Sequence, residues 1–333
     1  MKAMFTLILI GMLLVSIVIL KSRTVSSDHF FSLGGGISEE RSQSIAVGRA
    51  PTVIVESDAG NVSFCSGLDG QVKIVEVKHA RSQADIDLVR VEAINQSNTV
   101  RIAFRQPQAA RTGCSVDLTI YAPSDSRLQI DTGGGSVDAV GFTAGVTAHT
   151  GGGSVSVSDV AGELRLSSAG GNVRCENARG PVHIETGAGN LSIQGLVSGR
   201  AVVQTGGGNI DIGRVDGALS ASTGAGNISV TGLLRGDSQL STGAGAVHID
   251  LDPESSLRVQ ASTSVGDIRT GFGLSTGDKT SVGASLTGKI GTGDSGTLYM
   301  RTGVGNVRVD RLDAENRAPA VDTRMIAAQG MAG

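Results

Sequence analysis

The sequence has no Trp, only two Tyr, and aromatic residues amount to 3 % of 333 positions. A chain this poor in large rings must build its core from small and β-branched side chains, which excludes a thick globular interior. An excess of either charge is also missing. Against 31 acidic residues stand 28 basic ones, and a net charge of −3 offers no electrostatic footprint for nucleic acid. Proline is scarce at six residues, and glycine does not recur at every third position, so collagen is excluded. The three cysteines, Cys65, Cys114 and Cys175, are too few and too scattered for a disulfide scaffold or a C-x-x-C metal site. What is abundant is glycine, at 49 residues about twice the usual ~7 %.

One long apolar run stands apart from the rest. Met4 to Leu20 is interrupted only by Thr6, Gly11 and Ser16, and at ~1.5 Å per residue it would make a helix of about 26 Å, close to the thickness of a bilayer core. Lys2 lies before it and Lys21 and Arg23 after it, so the positive-inside rule does not choose an orientation. Its only small-residue cleavage candidate, Val25-Ser26-Ser27, sits behind those two basic residues. An uncleaved membrane anchor over residues 1–24 is therefore favoured over a removed signal peptide. Residues 25–41 read as a linker, which places the remainder beside a membrane.

The rest is organised by a repeat. The unit T-G-[GA]-G-[NS] followed by an apolar residue opens at Thr132, Thr150, Ser168, Thr186, Thr205, Thr223, Thr242 and Thr263, at intervals of 18 to 21 residues. A degenerate copy at Thr280 and a clean one at Thr302 complete ten, and an isolated copy begins at Ser57. With the Thr or Ser as position zero, apolar residues fall at −4, −2, +5 and +7, as in Val146, Ala148, Val155 and Val157. Alternation by two on either side of a glycine turn predicts two short strands, each with one buried face. Such a unit cannot bury its apolar face alone, so units must stack. The expected fold is all-β: a single-chain, parallel β-helix-like β-solenoid over residues 127–310, its coils taken in sequence order. Glycines at +1 and +3 and Asn at +4 are expected to supply left-handed corner conformations. The Thr at zero continues the inward phase.

Residues 42–126 are less regular and are expected to form the amino-terminal cap that a solenoid needs. Ser44–Val47, Thr52–Val55, Val72–Val77, Val89–Ala93, Val100–Phe104 and Val116–Tyr121 read as strands. Ser82-Gln83-Ala84-Asp85 is a capping pattern that opens a short helix through about Val89. After Asp310 the periodicity ends, and 311–333 reads as a disordered tail.

A strand before Asp58-Ala59-Gly60-Asn61-Val62, an insertion, and then Val116-Asp117-Leu118-Thr119-Ile120-Tyr121-Ala122-Pro123 leading into T-G-x-G-[NS] repeats together resemble a bacterial β-strand-repeat family of unknown function whose members are labelled candidate adhesins. The resemblance spans about residues 42–310. It implies an extracytoplasmic β-solenoid tethered to a bacterial envelope, in the periplasm or at the cell surface, and carries over no catalytic residue.

Position by position, the residues assign no catalytic, cofactor-binding or metal-binding group. Position +6, where a calcium-binding β-roll would place Asp, reads Asp138, Ser156, Arg174, Ser192, Asp211, Ser229, His248, Arg269 and Arg308, and cations would meet arginine there as often as carboxylate. Position −1 stacks Asp131, His149, Ser167 and Glu185. These are the residue types of a hydrolase triad, yet the plain reading is a solvated outer face. Cys175 falls at a +7 core position. If the chain is exported, Cys65 and Cys114 are the only pair expected to bond. The function expected is that of a non-enzymatic, membrane-anchored solenoid presenting a polar face to an envelope protein or a surface glycan, with no cofactor. The alternatives are a β-helix polysaccharide hydrolase or lyase, against which the lack of sugar-stacking rings counts, and an envelope-stress sensor.

Overall fold

A computed structural model describes residues 26–33, 36–106, 113–274, 276–279 and 283–312. They fall into two compact units, one ending at Ala178 and one beginning at Arg179. Nearly all regular structure is strand, and the one helix among the described residues is Gln83–Leu88.

In the first unit, parallel ladders join equivalent strands of successive repeats. Leu128–Thr132, Val146–Thr150 and Leu164–Ser168 align in register on one side. Val62–Ser66, Val137–Val140, Val155–Ser158 and Val173–Glu176 align on another. Because the repeat places apolar residues two apart, every coil sends the same positions inward, and Leu128, Ile130, Val146, Ala148, Val155 and Val157 are all buried. Phe142, ten residues after Thr132, adds a third inward position, packing edge-on against Phe64 with ring centroids 6.2 Å apart.

The coil at the amino-terminal end is out of sequence order. Thr99–Phe104 and Ser115–Ala122 stack beneath Thr52–Ser57 and Val62–Ser66, so part of the region expected to cap the coils is itself a coil. The capping role falls to antiparallel strands: Gln71–Ala80 pairs with Ser115–Ala122, and Val91–Gln96 pairs with Thr99–Phe104. Ser26–Leu33 and Gly36–Ala46 form a further antiparallel pair across the stretch read as a linker. The short helix starts where the capping pattern places it, with the Ser82 hydroxyl accepting from the Asp85 amide at 3.2 Å and Val89 as its C-cap.

The second unit repeats the parallel stacking from Val182 through Leu251, then departs from sequence order again. The coil of Thr302 does not come last. Its strands Thr297–Val304 and Val307–Arg311 lie directly on Ser238–Ala244 and Val247–Leu251, the coil of Thr242. The coil of Thr263, made of Leu257–Val265 and Ile268–Thr270, stacks on the far side of them. The copy at Thr280 contributes no coil among the described residues; the chain after it forms strand Ala284–Ile290, antiparallel to Leu257–Val265. The reason is the same as at the amino terminus. The outermost coil would present a row of unpaired backbone groups, and an antiparallel strand covers them. Asp252–Ser256 is a turn closed by the Ser255 amide on the Asp252 carbonyl.

The turn chemistry matches expectation in part. Glycines at +1 do not adopt positive φ, nor does Asn at +4, but glycines at +3 do so at Gly60, Gly226, Gly245, Gly266 and Gly305. Positive φ also occurs at +9, at Gly141, Asp159, Asn177 and Arg214. The T-G-x-G glycines supply closeness as well. A Cβ on Gly208 would lie 2.1 Å from the Gly189 carbonyl oxygen, and one on Gly206 would lie 2.3 Å from that of Gly187, whereas Gly207 faces open space. The Asn side chains bond between coils: Asn190 Oδ1 accepts from the Asn209 amide and Asn209 Oδ1 from the Asn227 amide, both at 2.9 Å.

All three cysteines are free, which corrects the expected Cys65–Cys114 bond. Cys65 aligns with Tyr121, seven residues along the chain from Cys114, which directly precedes that strand. At ~3.3 Å per residue that is roughly 23 Å, far beyond disulfide reach. The apolar run 4–20 and the tail from 313 lie outside the described residues. No helix among those described is long and apolar enough to cross a membrane.

Candidate functional site

Alternation leaves positions −3 and −1 of each repeat on an outward face, and three features of the outer surface bear on chemistry.

The first is the column suggested by the sequence. In the first unit His149 aligns with Asp131 on one side and Ser167 on the other, and His149 Nδ1 lies 2.7 Å from the Ser167 hydroxyl. The three residues do meet, but not as a triad. A working triad carries the carboxylate on Nδ1 and the nucleophile on Nε2, whereas here Nδ1 faces the hydroxyl and no hydrogen bond joins Asp131 to the ring. The strand Leu164–Ser168 is laddered to Val146–Thr150, and a regular strand supplies no turn that would aim two amides at an oxyanion. Glu185 belongs to the second unit and engages His183 at 2.9 Å.

The second is the +6 column and its neighbours. Asp138 aligns with Ser156 and Ser156 with Arg174, so no two carboxylates face one another there. Desolvation raises the Asp138 carboxyl above the usual carboxylate range. In the second unit His248, Asp250 and Asp310 bring potential ligand atoms within 4.8 Å of one another. His248 Nε2 is 3.2 Å from Asp250, and Arg308 is ion-paired to Asp310, already supplying the positive charge a cation would bring. Cys175 is buried, and its thiol is pushed up to about 12 by desolvation and then by Glu176. It is a packed side chain rather than a nucleophile.

The third feature is created by the out-of-order coil. Threading Thr297–Val304 between Ser238–Ala244 and Leu257–Val265 sets Gln239, Tyr299 and Gln260 side by side in one row, with Thr287 of the antiparallel strand beyond them. The adjacent row is Ser241, Arg301 and Ser262. All of these but Ser241 line a groove of about 500 Å³, a volume within the range of small-ligand sites. Tyr299 is 47 % exposed. Elsewhere outward side chains satisfy one another, as in Arg165 with Glu163, Arg174 with Glu176 and Arg235 with Asp216. Among the described residues, none of Gln239, Tyr299, Gln260, Arg301 and Thr287 has a side-chain hydrogen bond or ion pair. Sequence reasoning passed over this row because it placed the Thr302 coil last. The sequence carries no signal for it: T-G-V-G-N at Thr302 follows the degenerate copy at Thr280, but neither motif nor interval says which coil it neighbours.

The family model described as Toastrack DUF4097 matches residues 44–310, and the chain belongs to that family. No curated protein matches the chain significantly. Among solved structures, a candidate adhesin from Bacteroides fragilis is similar at 14 % identity and a TM-score of 0.41, covering 81 % of this chain and 96 % of its own. A candidate adhesin from Parabacteroides distasonis is similar at 12 % identity and a TM-score of 0.39, covering 82 % of this chain and 97 % of its own.

Proposed function

We propose that this Toastrack chain is a non-enzymatic β-solenoid of the bacterial envelope, held at the membrane by residues 4–20 and presenting the −3 and −1 face of its coils to a partner. The observation that carries the reading is the row Gln239, Tyr299 and Gln260: exposed donors, acceptors and a ring, fixed at strand spacing and not bonded to one another. A row of unsatisfied groups on a laddered strand is suited to recognition, because the backbone is already ordered and only side-chain rotamers are fixed when a partner docks. Catalysis would ask for more. It needs groups that converge on one reacting atom, and a ladder holds its side chains parallel. The apolar run before the coils supports an anchor, and the coil chemistry needs neither metal nor cofactor to close its turns.

The test is site-specific photocrosslinking in the full chain, in native membranes. A photoreactive residue replacing Gln260 should give a discrete adduct, and the same residue replacing Ser192, on the other outward face, should not. Adducts from neither position, or equally from both, would contradict the proposal.

A further inference from the structure

We infer that the groove around Tyr299 binds an acidic saccharide, a sugar chain bearing carboxylates. This rests on the interaction role proposed above and names the ligand of that face.

The ring comes first. Tyr299 is one of only two tyrosines in a chain without tryptophan, and it stands outward on a strand flanked on both sides by glutamine. An exposed ring offers a flat apolar plate to the C–H face of a sugar. Each glutamine amide offers one acceptor and two donors, a match for adjacent hydroxyls. Because Gln239, Tyr299, Gln260 and Thr287 follow one another at ~4.8 Å, they form a track along which successive sugars can be read.

Charge then selects among sugars. Along the two outward rows that run from Val202 and Gln204 to Gln260 and Ser262, Arg301 is the only charged residue. Two more cations frame the groove. Arg258 lies two residues before Gln260 on the same face and aligns with Lys289 of the capping strand. Arg258, Lys289 and Arg301 are all exposed, and among the described residues none of the three has an ion pair. The nearby Asp237 carboxylate accepts from the Thr297 amide at 2.9 Å, which leaves one carboxylate against three cations. Three unpaired cations around a ring and two free amides complement a ligand with both hydroxyls and carboxylates. An arginine fork can take a carboxylate through two parallel bonds. A polyphosphate would use the cations and leave the ring and amides idle.

The experiment is calorimetric titration of the full chain with hexagalacturonate, with the neutral hexamer cellohexaose and with inorganic polyphosphate, repeated at high salt. Hexagalacturonate should bind at least tenfold more tightly than either comparator, and high salt should narrow its advantage over cellohexaose. Tyr299→Ala should weaken the acidic hexamer roughly tenfold, as truncating a central aromatic anchor does. Tyr299→Phe should keep most of the binding. Arg301→Gln should abolish the preference for the acidic over the neutral hexamer, and Ser229→Ala on the other face should change nothing. All three positions are outward, so melting temperatures of the four variants should stay together. Failure of hexagalacturonate to bind, equal binding of polyphosphate, or wild-type behaviour of both Tyr299→Ala and Arg301→Gln would overturn the inference. If hexagalacturonate fails while the crosslink from position 260 persists, the saccharide is wrong and the interaction role stands. If both fail, both are overturned.

Discussion

The hydroxyl of Thr223 donates to the carbonyl oxygen of Gly208, one coil earlier, at 2.9 Å. The same bond runs from Thr205 to Gly189, from Thr242 to Gly226, from Thr302 to Gly245 and from Thr263 to Gly305. The last two record the coil order, because each threonine bonds the coil that precedes it in space rather than in sequence. These threonines are buried, Thr223 at 5 % exposure. Their hydroxyls satisfy carbonyls that the close approach of the turns cuts off from water.

Replacing Thr223 with Val keeps the shape and removes the hydroxyl, leaving a buried carbonyl without its donor. Denaturant unfolding should show a loss of about 1–3 kcal/mol. Thr223→Ser keeps the hydroxyl, as Ser168 does in its own coil, and should retain most of the stability. Equal losses for the two variants would show that methyl packing, not the bond, holds the turn.

Three adjacent glycines allow a finer test. Gly208→Ala drives a Cβ into the Gly189 carbonyl and should cost about 1–3 kcal/mol or more, as overpacking against a backbone does. Gly206→Ala should cost less, since Ala169 occupies the same +1 position in its own coil. Gly207→Ala, facing open space, should stay within about 0.5 kcal/mol of wild type. Thermal melts that rank the three otherwise would contradict the close-approach account.

The sequence made the coil legible because burial imposes a period of two on each strand and stacking imposes a repeat on the whole. Positions −4, −2, +5 and +7 are buried where expected, and the Thr at zero points inward. The place of the left-handed corner was legible only in part, since positive φ occurs at the expected +3 in Gly226, Gly245, Gly266 and Gly305 but also at an unexpected +9. Glycine serves both positive φ and close approach, and nothing in T-G-G-G-N says which; the corner at +9 is held as readily by Asp159, Asn177 and Arg214 as by glycine. Coil order was hidden as well, because a repeat fixes how coils pack but not which neighbour each one takes. The groove around Tyr299 exists only once the coil of Thr302 is set between those of Thr242 and Thr263, so it could not be assembled from intervals along the chain.

Thiol chemistry should follow burial. Nucleophilic attack needs the thiolate, and Cys175 is pushed up to about 12, while desolvation and then the Asp85 charge raise Cys114. Under native conditions at mildly alkaline pH, iodoacetamide should modify the half-buried Cys65 first and reach Cys175 only after unfolding. Mass mapping should find no Cys65–Cys114 linkage, and a linked peptide from native envelopes would contradict the ladder alignment of Cys65 with Tyr121.

The column of Asp131, His149 and Ser167 should be inert. A serine-directed fluorophosphonate should not label Ser167, and His149→Ala should shift stability by no more than about 0.5 kcal/mol, as exposed substitutions usually do. Labelling of the wild type that disappears in His149→Ala would establish an activated serine and overturn the non-enzymatic reading.

The most direct test of the whole account compares the two tyrosines by hydroxyl-radical footprinting, in purified full chain and in intact native envelopes. Tyr299 stands outward in the proposed recognition row, and Tyr121 lies half-buried in the amino-terminal unit as an internal reference. If the −3 and −1 face engages a partner in the envelope, oxidation of Tyr299 should fall several-fold there while that of Tyr121 stays the same. An unchanged Tyr299 would contradict the account.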